Sequence, residues 1–159
     1  CTRRRSDVEG TTSAETTVRP LSLGDAASAA VLSADLGYPV AADEMTGRLA
    51  AVLAATGHAV FGAFAADGRM LGWVHVCRRL LLIDPPSAFV ESLVVAPEAQ
   101  RRGVGRILMA AAEDWAGDGG ALVMRLRSGA WRTEAHAFYR ALGYQEGKAA
   151  SGFEKTLVR

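Results

Sequence analysis

The spacing of apolar and polar positions predicts a strand and two helices in the first third of the chain. A short strand is expected at residues 18–21, and the residue types of Ser22 to Asp25 form a capping box that opens a helix ending near Gly37. Pro39 prevents a simple continuation of this helix. A second helix, closed by Gly57, is predicted from apolar residues at helical spacing, namely Met45, Leu49, Val52 and Leu53.

Three strands are predicted in the middle of the chain. Apolar runs at residues 59–65 and 70–80 flank Asp67-Gly68, a dipeptide typical of a tight hairpin, and are expected to be antiparallel neighbours. A further strand spans residues 89–95 and ends at Ala96-Pro97, because proline lacks the main-chain N–H that a strand donates.

The last third alternates helices with strands. A helix that begins after paired glycines has an apolar stripe of Ile107, Leu108, Ala111 and Trp115. The strand predicted next, at residues 121–126, implies a parallel pair. A fourth helix runs from about Thr133 to Leu142 and stops at Gly143, and two last strands are expected near residues 144–147 and 153–157. The fold class is therefore α/β (α+β), with a mixed six- to seven-stranded sheet flanked by four helices.

Composition adds expectations about organisation and partners. The chain has 159 residues, half of them apolar, which suits one domain at residues 18–159, whereas the polar residues 1–17 are expected to form a disordered tail. Lys and Arg number 18 against 17 Asp and Glu, so a nucleic-acid partner is not expected, and the run Arg3 to Arg5 is interpreted as solvated. Neither a membrane helix nor a disulfide or metal pattern of cysteines is visible, which predicts a cytoplasmic protein without a metal.

The strongest chemical signal is the turn from Pro97 to Gly105. Glycines at 103 and 105 allow main-chain N–H groups to face a ligand where a helix begins, and the helix dipole favours an anion there. Arg101, Arg102 and Arg106 add positive charge. The spacing matches neither the P-loop nor the dinucleotide fingerprint, because Arg106-Ile107 follows the second glycine where a P-loop has Lys-Ser or Lys-Thr, and Leu108 stands where the fingerprint has a third glycine.

The segment Gln100-Arg101-Arg102-Gly103-Val104-Gly105 resembles motif A of the GNAT N-acetyltransferase superfamily. The preceding strand, residues 92–98, and the segment of residues 135–144 are also similar to that family. The resemblance covers about residues 18–157 and implies a GNAT-like fold that uses acetyl-CoA as cosubstrate. One departure is Ser128-Gly129, where many members carry Asn.

The resemblance implies where the cofactor would bind. Main-chain groups of the strand are expected to hold the acetyl and pantetheine portions, and the turn is expected to hold the pyrophosphate. The implied cofactor-binding residues are Leu93, Val94, Val95, Gln100, Arg101, Arg102, Gly103, Val104, Gly105, Arg106 and Phe138. The implied activity is direct transfer of acetyl to an amine, and the alternative is a non-catalytic acyl-CoA sensor. A homodimer is also possible, because dimers are common in the family.

Acetylation of an amine requires a proton acceptor. An alkylammonium with a pKa near 10.4 is about 0.04 per cent neutral at pH 7, which corresponds to about 4.6 kcal/mol. Glu91 is the candidate base, because strand alternation places it on the face of Leu93 and Val95, although a structural salt bridge is an equal alternative. His75 is a second candidate base, and His136 and His58 rank lower.

Tyr139 is the candidate acid for the leaving thiolate, since it resembles the tyrosine that family members place beside the coenzyme A sulfur. A small-molecule amine is the preferred acceptor, while an amino acid, an antibiotic and a protein amino group all stay open. Asp35, Asp43 and Glu44 could attract a cationic amine, or the acids of the second helix could simply complement its dipole.

Overall fold

A computed structural model describes residues 16–148 and 152–157 of the chain. Most of the predicted tail, including Arg3 to Arg5, lies outside these residues. The chain divides into two compact units, one ending at Arg127 and the other beginning at Ser128. None of the described helices combines the length and the apolar composition that crossing a membrane requires.

Among the described residues, the first unit contains a five-stranded sheet and three α-helices, and the second contains one α-helix. The strands are β1 (Thr17–Pro20), β2 (His58–Phe64), β3 (Met70–Arg79), β4 (Ser87–Val95) and β5 (Val123–Leu126). The helices are α1 (Ala26–Asp35), α2 (Ala42–Ala54), α3 (Val104–Asp118) and, in the second unit, α4 (Thr133–Ala141).

The strands lie side by side in chain order. Each of β1 to β4 is antiparallel to the next, and β5 runs parallel to β4, which confirms the predicted hairpin and the parallel pair. The two strands predicted near residues 144–147 and 153–157 are wrong, since the described residues there form none. Phe153 and Leu157 are 98% and 84% exposed, so alternation in this segment has no buried face to stabilise.

Helix α3 packs on one face of the sheet, as the close approach at Gly72 on β3 shows. A Cβ at Gly72 would lie 3.1 Å from Leu108 Cδ1 and 2.5 Å from the Val94 carbonyl oxygen, so only glycine admits the helix so near. Leu108 and Met109 are fully buried there. The predicted α3 stripe was partly wrong: Ile107, Ala111 and Trp115 are half-buried, because neighbouring apolar positions Val104, Ala112 and Ala116 face the core instead.

The start of α1 is fixed by an ion pair that reaches back to β1. The Arg19 guanidinium donates to both carboxylate oxygens of Asp25 at 2.8 Å, and the Ser22 N–H donates to the same carboxylate at 2.8 Å. The predicted capping box is present, although it opens a 3-10 turn at Leu23–Asp25 that continues into α1. Asp25 therefore joins the first strand to the first helix.

Asp25→Asn tests this junction. The hydrogen bond from Arg19 is the main cause that holds the pKa of Asp25 well below its usual range, while burial opposes it. The ionised carboxylate therefore stabilises the fold above the unfolded pKa of about 3.9, and this contribution is lost as pH falls toward the lower folded pKa. We expect urea unfolding to show a loss of about 1 kcal/mol at pH 7. The difference from wild type should shrink below about pH 4.

The matched control is Asp114→Asn, which removes an exposed carboxylate from α3. Its unfolding free energy should stay close to that of wild type at both pH values. An equal loss in the two variants would contradict the role given to the Asp25 junction.

Candidate active site

The pairing of β3 with β4 is interrupted at one point, where β4 passes from Val90 to Glu91. The register opposite β3 runs from His75↔Ser92 to Val76↔Val90, so Glu91 is an extra, bulged residue on β4. The pairing of β4 with β5 also ends here, at Val90↔Leu126. Residues 91–95 of β4 thus have no partner in β5 among the described residues, which leaves an open edge.

The main chain of β4 presents hydrogen-bonding groups to this open edge. The Ala96 N–H donates to the Leu71 carbonyl at 2.9 Å, on the β3 side. Since main-chain groups alternate in direction along a strand, those of Val95 and Leu93 point away from β3. This orientation agrees with the expectation that Leu93 and Val95 offer main-chain bonds to pantetheine. The main-chain groups of Val94 point toward β3 instead, and its side chain is buried.

The turn between β4 and α3 has the backbone of an anion site. Gly103 is the N-cap of α3 with φ of 83°, a left-handed conformation that glycine adopts without strain. Arg101, with φ of 60°, is the one non-glycine residue of the described chain in that region. The first helical bond runs from the Ile107 N–H to the Gly103 carbonyl, so the N–H groups of residues 104–106 precede the helical ladder. The helix dipole adds positive potential at the same place.

The side chains of this turn differ in their exposure. Arg101, Arg102 and Arg106 are exposed around the helix start. Val104 is 3% exposed, so only its main chain is available to a ligand. The Gln100 side-chain amide donates to the Val95 carbonyl at 3.3 Å and ties the turn to the end of β4.

The structure gives Glu91 a different environment from the predicted one. Its Oε1 accepts hydrogen bonds from Arg79 at 2.7 Å and from the Cys77 thiol at 3.0 Å. Both partners extend from the face of β3 that is opposite to Gly72 and α3. The prediction that Glu91 shares a face with Leu93 is therefore wrong, because the bulge breaks the regular alternation of side chains along β4. Burial raises the pKa of Glu91, but the bonds from Cys77 and Arg79 outweigh it and leave the pKa lowered. Glu91 is a stably charged carboxylate.

Two histidines meet on the same face of the sheet. His58 Nδ1 lies 3.0 Å from His75 Nε2, a hydrogen-bond distance, and the ring centroids are 5.3 Å apart. Burial and the neighbouring His58 lower the pKa of His75, while Glu91 acts in the opposite direction. His75 pairs with Ser92, the residue beside the bulge.

The second unit carries the remaining candidates on α4. Tyr139 is half-buried, with ring centroids 5.2 Å from Phe138 and 6.0 Å from Tyr144. Burial raises the pKa of the Tyr139 phenol, and the charge of Arg132 opposes this, so the group keeps its proton at neutral pH. His136 Nε2 lies 3.0 Å from the Gly129 carbonyl, which indicates a structural role.

The carboxylates predicted near α2 are engaged locally. Asp43 and Glu44 lie in its first turn, and Glu44 pairs with Arg48 at 2.5 Å, one helical turn away. These positions favour the interpretation that Asp43 and Glu44 complement the dipole of α2 over the interpretation that they contact an amine. In residues 16–148 and 152–157, no group of three or more His, Cys, Asp or Glu side chains forms a possible metal site.

Comparison with known proteins decides the family. Residues 31–144 match the Acetyltransferase (GNAT) family. An aminoglycoside N(6′)-acetyltransferase type 1 from Stenotrophomonas maltophilia is 37% identical over 134 residues, covering 82% of this chain and 86% of that protein. The chain belongs to the GNAT acetyltransferase family.

Solved structures agree with this fold. An aminoglycoside N-acetyltransferase in complex with coenzyme A has a TM-score of 0.81 at 23% identity, covering 90% of this chain and 96% of that one. An aminoglycoside antibiotic 6′-N-acetyltransferase from Acinetobacter haemolyticus has a TM-score of 0.77 at 21% identity, covering 89% and 99%.

As a GNAT protein, the chain is an acetyl-CoA-dependent N-acetyltransferase that acts on an amine of a small molecule. The family membership, the enzyme class and the α/β fold predicted from sequence are confirmed, and the enzyme is favoured over the non-catalytic sensor. The cytoplasmic location, the homodimer and the roles of individual residues stay predictions.

Sequence reasoning missed the partners of Glu91 and the contact between the histidines. A two-residue turn at Asp67-Gly68 would pair residue 66 with 69 and therefore 58 with 77, which is the observed register. The observed turn is longer, with the Ala65 N–H bonded to the Arg69 carbonyl, and the register shift next to Met70 compensates. The register that brings these strands together could therefore have been found by counting residues outward from the predicted hairpin.

Gly103→Glu tests the anion site of this GNAT domain. The substitution strains a left-handed residue and places a carboxylate where a pyrophosphate would bind. We expect isothermal titration to show at least a tenfold weaker binding of coenzyme A, which is about 1.4 kcal/mol.

Gly68→Glu is the matched control, because Gly68 has φ of 85° and a Cβ at either glycine would meet nothing within 4 Å. Both variants should lose similar thermal stability, while the control binds coenzyme A like wild type. Unchanged affinity in Gly103→Glu would remove the turn from the cofactor site.

Proposed function

We propose that the enzyme acetylates the 6′-amine of aminoglycosides. The observation that supports this acceptor is the 37% identity to the Stenotrophomonas maltophilia relative, whose name states that activity. The similarity extends over 82% of the chain and is therefore not restricted to the cofactor turn.

The charges of the first unit are compatible with an aminoglycoside and acetyl-CoA as the two substrates. Aminoglycosides are polycations, and the bulge of β4 carries the ionised Glu91 carboxylate, which Arg79 and Cys77 hold in place. Acetyl-CoA is a polyanion, and the arginines and N–H groups at the start of α3 suit its diphosphate. The two kinds of charge occur at different points of β4 and the turn that follows it.

We assign roles to the candidate residues on this basis. Leu93 and Val95 offer main-chain bonds to pantetheine, and residues 100–106 hold the diphosphate, with Phe138 as an apolar contact. Glu91 attracts and holds the ammonium group of the acceptor; its lowered pKa suits that role better than the role of base. Tyr139 donates its phenolic proton to the thiolate that leaves when the amine attacks the thioester carbonyl.

The acceptor is tested with neamine and its 6′-hydroxyl counterpart paromamine, which differ only at the proposed site. With acetyl-CoA, neamine should release thiol and gain one acetyl group, located at the 6′-nitrogen by NMR. Paromamine should release at least tenfold less thiol, because its 6′-oxygen is a poorer nucleophile. Equal rates for the two compounds, or acetyl on another nitrogen, would exclude 6′ selectivity.

Tyr139→Phe tests the acid. Removing the hydroxyl should lower kcat by tenfold or more and leave the dissociation constant of coenzyme A nearly unchanged, because only the transition state needs the proton. Tyr144→Phe is the matched control in the same unit and should retain kcat. If Tyr139→Phe is as active as wild type, the thiolate leaves without help from this group.

A further inference from the structure

The histidine pair lies beside the point where the acetyl group is expected. Residues of β3 alternate regularly from Gly72 to Arg79, so His75 extends from the face opposite to α3, together with Cys77 and Arg79. His75 is directly across from Ser92, which adjoins the bulge and precedes Leu93. Cross-strand neighbours have Cβ atoms about 5 Å apart, so the imidazole is within reach of a group held at the bulge.

We propose that His75 takes the proton of the acceptor ammonium and that His58 passes it to solvent. This inference rests on the proposed function, because it requires an amine held at the β4 bulge. In this scheme His75 is the catalytic residue and His58 is a positioning residue that acts through it.

The hydrogen bond between the rings defines the path of the proton. When His75 Nε2–H donates to His58 Nδ1 at 3.0 Å, the His75 Nδ1 atom carries the lone pair. One proton then moves from the ammonium to His75 Nδ1, one moves from His75 Nε2 to His58 Nδ1, and one leaves from His58 Nε2. The neutral amine attacks the thioester carbonyl, and the pair returns to its first state by the reverse tautomer shift through solvent.

The surroundings favour the neutral imidazole of His75 over a carboxylate as the group that accepts the proton. Burial, and then His58, lower the pKa of His75, so the imidazole is neutral and able to accept a proton at neutral pH. Glu91 on β4 opposes this shift and would stabilise the imidazolium once formed. The register of the sheet places further titratable groups on this face, namely Cys77 and Arg79 on β3, Arg19 on β1 and Arg125 on β5. Helix α1, which packs against β3, carries Asp35 as its one charged residue, and α2, which packs against β2, carries Asp43, Glu44 and Arg48.

Two conservative substitutions keep the hydrogen bond between the side chains and remove a titrating ring. His75→Gln places an amide N–H near the position of Nε2, and His58→Asn places an amide oxygen near the position of Nδ1. The measurement is kcat/KM for neamine as a function of pH, with coenzyme A affinity and thermal unfolding recorded for each variant.

In wild type, kcat/KM should have an acid limb with an apparent pKa below about 6.5. His75→Gln should lose this limb and fall about 100-fold at neutral pH. His58→Asn should keep the limb but move it to higher pH, because His58 lowers the pKa of His75. Coenzyme A affinity should stay unchanged in both variants.

Glu91→Gln separates this scheme from a carboxylate base. A limb that survives in His75→Gln and disappears in Glu91→Gln would overturn the proposal and return the role of base to Glu91. A loss of folding in His75→Gln is recognised by thermal unfolding, and His58→Asn then decides, since an unshifted limb refutes the relay. If wild type does not acetylate neamine, the proposed acceptor is wrong, and the same profiles are measured with the amine that is acetylated.

Discussion

The site depends on one interruption of main-chain pairing, at Val90 and Glu91 of β4. A continuous ladder would satisfy the main-chain groups of β4 on both sides and leave nothing for a ligand. Because β5 stops pairing at Val90, the groups of Leu93 and Val95 face an open edge. The same bulge rotates Glu91 toward Arg79 and Cys77. One extra residue in a strand thus accompanies the open edge that we propose for the cofactor, and it sets the position of a carboxylate.

Charge is distributed around this interruption in a way that suits two unlike substrates. The start of α3 combines a left-handed glycine, N–H groups outside the helical ladder and exposed arginines, which together favour an anion. At the bulge, an ionised Glu91 lies near His75, whose imidazole is neutral at neutral pH. In the proposed scheme, Glu91 holds the cation and His75 accepts its proton, so no single residue has to meet conflicting pKa requirements.

Local sequence patterns predicted much of the fold and the turn between β4 and α3. The hairpin at Asp67-Gly68, the anion turn around Gly103 and the parallel pair all follow from residue types at short separation, and the structure contains each of them. The two terminal strands were wrong and the α3 stripe was partly wrong, for a shared reason. Alternation or helical spacing identifies several apolar residues as equally good candidates for burial. Only packing determines which of them is buried, as Phe153 and Ile107 illustrate.

The sequence by itself determined the GNAT family and the class of reaction, and it carries the features on which the proposed diphosphate site rests, because these depend on glycines, arginines and strand ends that are adjacent along the chain. Only the tertiary structure decided the environment of Glu91, since a bulge reverses side-chain direction without altering the apolar pattern. The meeting of His58 with His75 likewise needed the register of two strands. The direction and the pKa of these groups are properties of contacts between distant residues, and such contacts exist only after the sheet has formed.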